Sequence, residues 1–138
     1  MDGHNVKALF VDIGKVESMK KVKITVLKTT FDEELAAEYA VGELTPCPMH
    51  QVGQVFYGDY AKPEGFCDEA WKAIYQYVFA LAHGVKEDLF YYRDWISVPG
   101  VAICACNDGI RPVIFKLEAT DIESELDYEP VDYGNRDS

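Results

Sequence analysis

The pattern of apolar and polar residues predicts a strand and then a short helix near the start of the folded part. Apolar and polar residues alternate across 21–28, a period of two that is typical of a strand with one buried face. Asp32 follows as a candidate helix cap, and the acidic residues after it suit the positive end of a helix. We therefore expect a strand over 21–28 and a short helix over 32–41.

A long helix is predicted over 68–82. One stripe of apolar residues along this helix consists of Trp71, Ile74, Val78 and Leu81. A second apolar set extends the stripe almost all the way round the helix: Tyr75, Phe79 and Ala82. A helix that is apolar on nearly every side is expected to be central to the core. Gly84 is expected to end it, because glycine is common just past a helix, with His83 facing the negative end of the dipole.

Residues 101–106 and 111–118 are predicted to form a hairpin. Asp108-Gly109 between them is typical of a tight turn, which needs a positive φ that Gly109 supplies without strain. The expected fold class is α+β, with a small antiparallel sheet and a C-terminal hairpin packed against one long and one short helix.

The two ends of the chain differ from its middle. Met19 begins a stretch that resembles a native protein start, so 1–18 is interpreted as an extension, 19–120 as a single domain and 121–138 as an acidic tail. Every odd position from 121 to 129 is acidic, which fits an edge strand or a disordered tail equally well. An aromatic cluster precedes the hairpin and is either a small satellite core or an exposed partner surface: Phe90, Tyr91, Tyr92 and Trp95.

Composition narrows the classes of partner. The chain has 138 residues and a net charge of −11, which argues against nucleic acid and against anionic membrane surfaces. No apolar run approaches the roughly 18 residues of a membrane span. The chain has four cysteines and can bury a core without disulfide bonds. This indicates a reducing compartment, and we expect a cytoplasmic location.

Four stretches of the chain resemble a family of small bacterial and archaeal proteins of no established activity, often found in anaerobes. They cover roughly residues 19–120 and include Cys47-Pro48, Pro63-Glu64-Gly65-Phe66-Cys67 and Cys106-Asn107-Asp108-Gly109-Ile110-Arg111-Pro112-Val113. The resemblance implies a domain that starts at Met19 and a thiol set of Cys47, Cys67 and Cys106. This chain departs from the family in having Cys104 and Cys106 where the family often has two adjacent cysteines.

The cysteines are the candidate chemistry. Zinc and iron–sulfur clusters need three or four converging ligands, and loops and strand ends are where such ligands can meet. The candidate set is Cys47, Cys67 and Cys106, with Cys104 or His50 as the fourth. The alternatives are redox thiols without a metal, and ordinary buried cysteines.

Three further residues are candidate binding groups: Arg111, Asp108 and Asp68. Arg111 could clamp an anion or pair internally with an acid such as Asp108, and Asp68 suits the start of a helix. No nucleophile elbow or phosphate-binding loop is present, so an enzyme is not favoured. The sequence leaves two hypotheses. One is an accessory protein that binds zinc or an iron–sulfur cluster; the other is an interaction module with structural cysteines and an acidic docking tail, which binds a protein partner or itself.

Overall fold

The computed structural model describes residues 19–86, 89–91 and 93–125. The elements follow in the order β1 (Lys20–Thr29), α1 (Glu33–Tyr39), β2 (Val55–Gly58), α2 (Asp68–Ala82), β3 (Val101–Ala105) and β4 (Val113–Glu123). The strands form one antiparallel sheet in the order β2-β1-β4-β3. The α+β class and the C-terminal hairpin β3–β4 are therefore confirmed. The predicted extension over 1–18 lies outside the described residues, as does the acidic stretch from 126 onward.

One face of the sheet carries the core, and α2 lies across it. Alternate residues of the strands point to this face, and α2 adds residues spaced three and four apart. The fully buried side chains include Val22, Ile24 and Val26 of β1, Phe115 and Leu117 of β4, and Ile74 and Val78 of α2. The two central strands and α2 therefore supply most of the packing.

The two helices contribute in different ways. α2 packs on β1, β3 and β4, whereas no residue of α1 is buried. α1 is held at its start instead, because the Asp32 side chain accepts the N–H of Leu35 at 3.0 Å and the Asp32 N–H donates to the carbonyl of Ile110 at 2.7 Å. It ends at Tyr39, before the predicted 41, since Ala40 is extended with ψ at 164°. The short helix is thus a capped connection between β1 and β2.

The connection between β3 and β4 is longer than the predicted tight turn. It spans residues 106–112, and Gly109 does not have a positive φ. The Asp108 carboxylate shapes this loop, because its Oδ1 accepts the backbone N–H groups of Ile110 at 2.9 Å and Arg111 at 3.2 Å. A side chain therefore supplies the hydrogen bonds of the turn, and the prediction of a positive φ at Gly109 is wrong.

The first residues of the predicted acidic tail belong to the sheet. β4 extends to Glu123, which lies opposite Lys20 in register and forms an ion pair with it. Lys21 pairs with Glu125 at 3.2 Å. The acidic stretch is thus a strand up to residue 123, and in this last part β4 pairs with β1 while its pairing with β3 ends at Glu118.

Candidate functional site

Three of the loops singled out in the sequence meet at one end of the sheet. Arg111 Nη1 donates a hydrogen bond to the carbonyl of Thr45 at 3.0 Å. Asn107 Nδ2 donates to the carbonyl of Glu69 at 3.2 Å, which joins the β3–β4 loop to the start of α2. The third contact joins the loop that carries His50 to the one that ends at Cys67, because the His50 ring accepts the Cys67 N–H. These contacts define a surface that we call the loop end, formed by residues 45–50, 63–67 and 106–112.

His50 is the buried histidine of the loop end. It is only 4% exposed, and its ring lies 5.0–5.9 Å from the ring centroids of Phe56, Phe66 and Phe115. Nε2 accepts the N–H of Cys67 at 3.3 Å, while the buried Nδ1 has no hydrogen-bond partner among the described residues. Burial lowers the pKa of His50, and the neighbouring Gln54 side chain opposes this shift without cancelling it. A neutral imidazole therefore anchors the start of α2 to an aromatic cluster.

Cys104 faces the core rather than the loop end. Its side chain is 9% exposed and belongs to the buried cluster beneath α2. Burial raises the pKa of the Cys104 thiol to about 12. The thiol is therefore protonated at neutral pH.

The other three cysteines are half-buried and packed against the core. Cys106 Sγ accepts the N–H of Val113 at 3.3 Å, and Cys67 occupies the cap position of α2 without a hydrogen bond from its side chain to the helix. Across residues 19–86, 89–91 and 93–125, no group of three or more His, Cys, Asp or Glu side chains could hold a metal ion. The predicted ligands are therefore not brought together as one group of three or four donors, the number that a zinc or iron–sulfur site needs.

The charged candidates of the loop end are paired within the molecule. Arg111 Nε donates to Asp108 Oδ2 at 3.1 Å, which is the internal pair that the sequence offered as one alternative. Desolvation opposes ionisation of Asp108, but hydrogen bonds from Ile110 and Arg111 outweigh it and lower the pKa of this carboxyl. Asp68 is ion-paired with Lys62, whose hydrogen bond and charge lower the Asp68 pKa. These groups fix loops to one another.

A partly exposed aromatic face lies along α2, on the flank next to β2. Trp71 and Tyr75 stack with ring centroids 5.5 Å apart and an interplanar angle of 9°, and Tyr75 contacts Phe79 edge-on at 6.0 Å. Tyr60, just after β2, approaches Phe79 at 6.4 Å. Phe79 and Tyr60 are 41% and 50% exposed. We call these four residues the aromatic face; an open groove of about 520 Å³ runs along its helical part.

The aromatic face corrects the expectation of a helix covered on nearly every side. The buried positions of α2 are Ala70, Ile74, Val78, Leu81 and Ala82, so the sheet covers only one side of the helix. The spacing of Trp71, Tyr75 and Phe79, each four residues apart, separates them from the buried stripe. That spacing was visible in the sequence, but the number of layers around the helix was not.

The aromatic segment before β3 is packed on the core at one residue and exposed at two others. Phe90 packs against the core and lies 4.8 Å from the ring of Tyr77. Tyr91 and Trp95 are 68% and 70% exposed and stack on each other at 6.3 Å. Tyr92 lies outside the described residues. The segment is therefore a satellite of the core that carries an exposed aromatic pair.

Comparison with known proteins returned no matching family model, no matching curated protein and no matching solved structure. Neither helix of the described part of the chain is long and apolar enough to cross a membrane.

Proposed function

We propose that this protein is a non-catalytic interaction module that binds a protein partner through the aromatic face. The observation that carries the proposal is the aromatic row Trp71–Tyr75–Phe79, which is half-buried at its first two rings and exposed at Phe79, with the exposed Tyr60 beside it. Aromatic side chains are enriched where partners bind, because they bury a large area at a low cost in side-chain entropy. Exposed apolar patches that are rimmed by polar groups mark such sites.

The surroundings of the aromatic face support an interface. Lys72 lines the groove and pairs with Glu69 at 3.0 Å, with both side chains about two-thirds exposed. Gln76 lines the groove one turn further along the helix. An apolar centre with a charged and polar rim is the usual anatomy of a protein–protein interface.

The cysteines have structural roles in this proposal. Cys104 is a buried protonated thiol, and the other three pack against the core. The proposed acidic docking tail is represented among the described residues only by its start, where Glu123 and Glu125 pair with lysines of β1. Its role in docking is therefore tested by removing residues 126–138, which leaves β4 whole.

Site-specific photo-crosslinking tests the proposal. A photoreactive amino acid replaces Phe79 in the full chain in its native cells, and the matched control carries it at Ile122, which is 47% exposed on β4. We expect one discrete protein adduct from position 79 and none from 122. Phe79→Ala is then expected to weaken binding of that partner by about 30-fold, as for an interface residue worth about 2 kcal/mol.

Two results would overturn the proposal. One is equal adducts, or none, at positions 79 and 122. The other is stoichiometric zinc or iron in anaerobically purified protein that is lost together with stability in Cys67→Ser, since ligand binding and folding are coupled. That second result would establish the metal-binding hypothesis in its place.

A further inference from the structure

The edge strand β3 presents unpaired backbone groups on its outer side. Cys106 N–H donates to the carbonyl of Val113 at 3.1 Å, and Ala119 N–H donates to the carbonyl of Gly100 at 2.8 Å. Hydrogen bonding alternates along an antiparallel strand, so the even-numbered residues from 100 to 106 face β4. The N–H and C=O groups of the odd-numbered residues therefore point away from the sheet and have no partner in the described part of the chain: Val101, Ile103 and Ala105.

This edge lacks the features that usually prevent strands from pairing. The strand has five residues, Val-Ala-Ile-Cys-Ala, with no lysine, no proline and no bulge. Natural proteins protect open edges with such features, because an unprotected edge pairs with another strand. Ile103, at the middle, is 40% exposed on the face of the sheet opposite α2. With respect to the residues that the structure describes, the outer edge of β3 is therefore unpaired and apolar.

The charges recorded beside the edge are paired or lie outside the groove next to it. This groove of about 380 Å³ lies between β3, α2 and the aromatic segment before β3, and all the residues that line it are uncharged, among them Gln76, Trp95 and Asn107. On the other face, Glu118 lies opposite Val101 in register and is already paired with Lys116 at 3.1 Å. In a chain of net charge −11, such a surface lets two copies approach without like charges in contact.

We propose that β3 pairs with β3 of a second copy of this chain, antiparallel about a two-fold axis at Ile103. In this register Ile103 lies opposite the partner's Ile103, and Val101 lies opposite the partner's Ala105. All three outward N–H groups and all three outward C=O groups of each copy are then paired, and a large side chain meets a small one at both ends. The two sheets join into one continuous antiparallel sheet. The inference is independent of the aromatic face, which lies on the other flank of α2.

Light scattering coupled to size-exclusion chromatography tests the assembly on the full chain. We expect a mass of about twice 15.6 kDa for the wild type and a monomer for Ile103→Lys, because a lysine at the axis would meet its own copy. The matched control is Val55→Lys on the opposite edge strand, where Val55 is 44% exposed; this variant is expected to remain a dimer. A monomeric wild type, or the same response from both variants, would overturn the proposal.

Hydrogen–deuterium exchange of the wild type provides a second test, which requires no substitution in the chain. In the dimer the amides of Val101, Ile103 and Ala105 are protected, and they are expected to exchange faster on dilution. The amides of Ala102 and Cys104 bond to β4 and should stay protected at every concentration, which makes them the internal control. Fast exchange at the three outward amides at high concentration, or protection that appears only when a different protein is added, would refute self-pairing.

Discussion

Acidification should destabilise this protein through His50. The folded chain holds a neutral imidazole among aromatic rings, and burial lowers its pKa below that of the unfolded chain, which is about 6.5. Below that pH the unfolded state binds a proton that the folded state does not. The stability that His50 contributes is thus fully present above about pH 6.5 and is lost as the pH falls toward the lower folded pKa.

The size of the loss in unfolding free energy follows from the uptake of one proton by one imidazole. The free energy of unfolding falls by at most about 1.4 kcal/mol per pH unit for a single group. Among the described residues, the groups recorded next to His50 are three phenylalanine rings, the Cys67 amide and the Gln54 carboxamide, and none of them is ionised. The Gln54 side chain offsets the cost of the buried imidazolium only in part, so the loss should continue until the folded state is also protonated.

Urea unfolding between about pH 7.5 and pH 5.5 measures this loss. The comparison is with His50→Gln, which keeps a polar side chain but removes the titration. Carboxylates contribute equally to both proteins, so the difference between the two pH slopes isolates His50. The reasoning would be refuted by equal slopes for the two proteins, or by a wild type that gains stability on acidification.

Three further changes probe the core, the loops and the thiols. Phe115→Ala should lower the free energy of unfolding by about 3–5 kcal/mol, because it leaves a cavity where a ring was fully buried; a smaller loss in urea would contradict this packing. Gly100 has a φ of +74°, and a Cβ there would lie 3.4 Å from that of Ala119, so Gly100→Ala should cost about 1 kcal/mol or more. Gly109→Ala, with open space and no positive φ, is the control and should leave urea stability unchanged or slightly higher. A thiol reagent at neutral pH should spare Cys104 in the folded protein and modify it in denaturant, as read by peptide mass spectrometry, because its pKa is raised to about 12; rapid labelling of the folded protein would contradict its burial.

The local parts of the fold could be predicted from the sequence. Alternation over 21–28 identified β1, and the helical spacing of apolar residues identified α2 over 68–82 with its terminal Gly84, which has a φ of +96°. These signals depend on neighbours a few residues apart, so the chain carries them directly. Asp32 as a helix cap belongs to the same class.

Features set by long-range contacts could not be predicted. The Asp108-Gly109 pair indicated a tight turn, but the carboxylate of Asp108 holds a longer loop whose Arg111 also reaches Thr45. Phe79 is exposed because none of the described elements covers the outer side of α2, which the helix sequence does not encode. The convergence of the three motif-bearing loops likewise became visible only in the structure, and it brings together hydrogen-bonding partners rather than three metal ligands.

The pairing of the central strands sets the timing of folding during synthesis. Lys20 of β1 and its partner Glu123 of β4 are 103 residues apart, and β3 can join the sheet only through β4. At about 5–20 residues per second, a ribosome takes roughly 5–20 s to make the intervening chain. Until then, β1 can pair only with β2 while α2 lacks most of the surface that it covers. The nascent chain therefore exposes apolar surface for most of its translation, when chaperones can bind it, and a ribosome that stalls before β4 releases a chain that cannot complete its core.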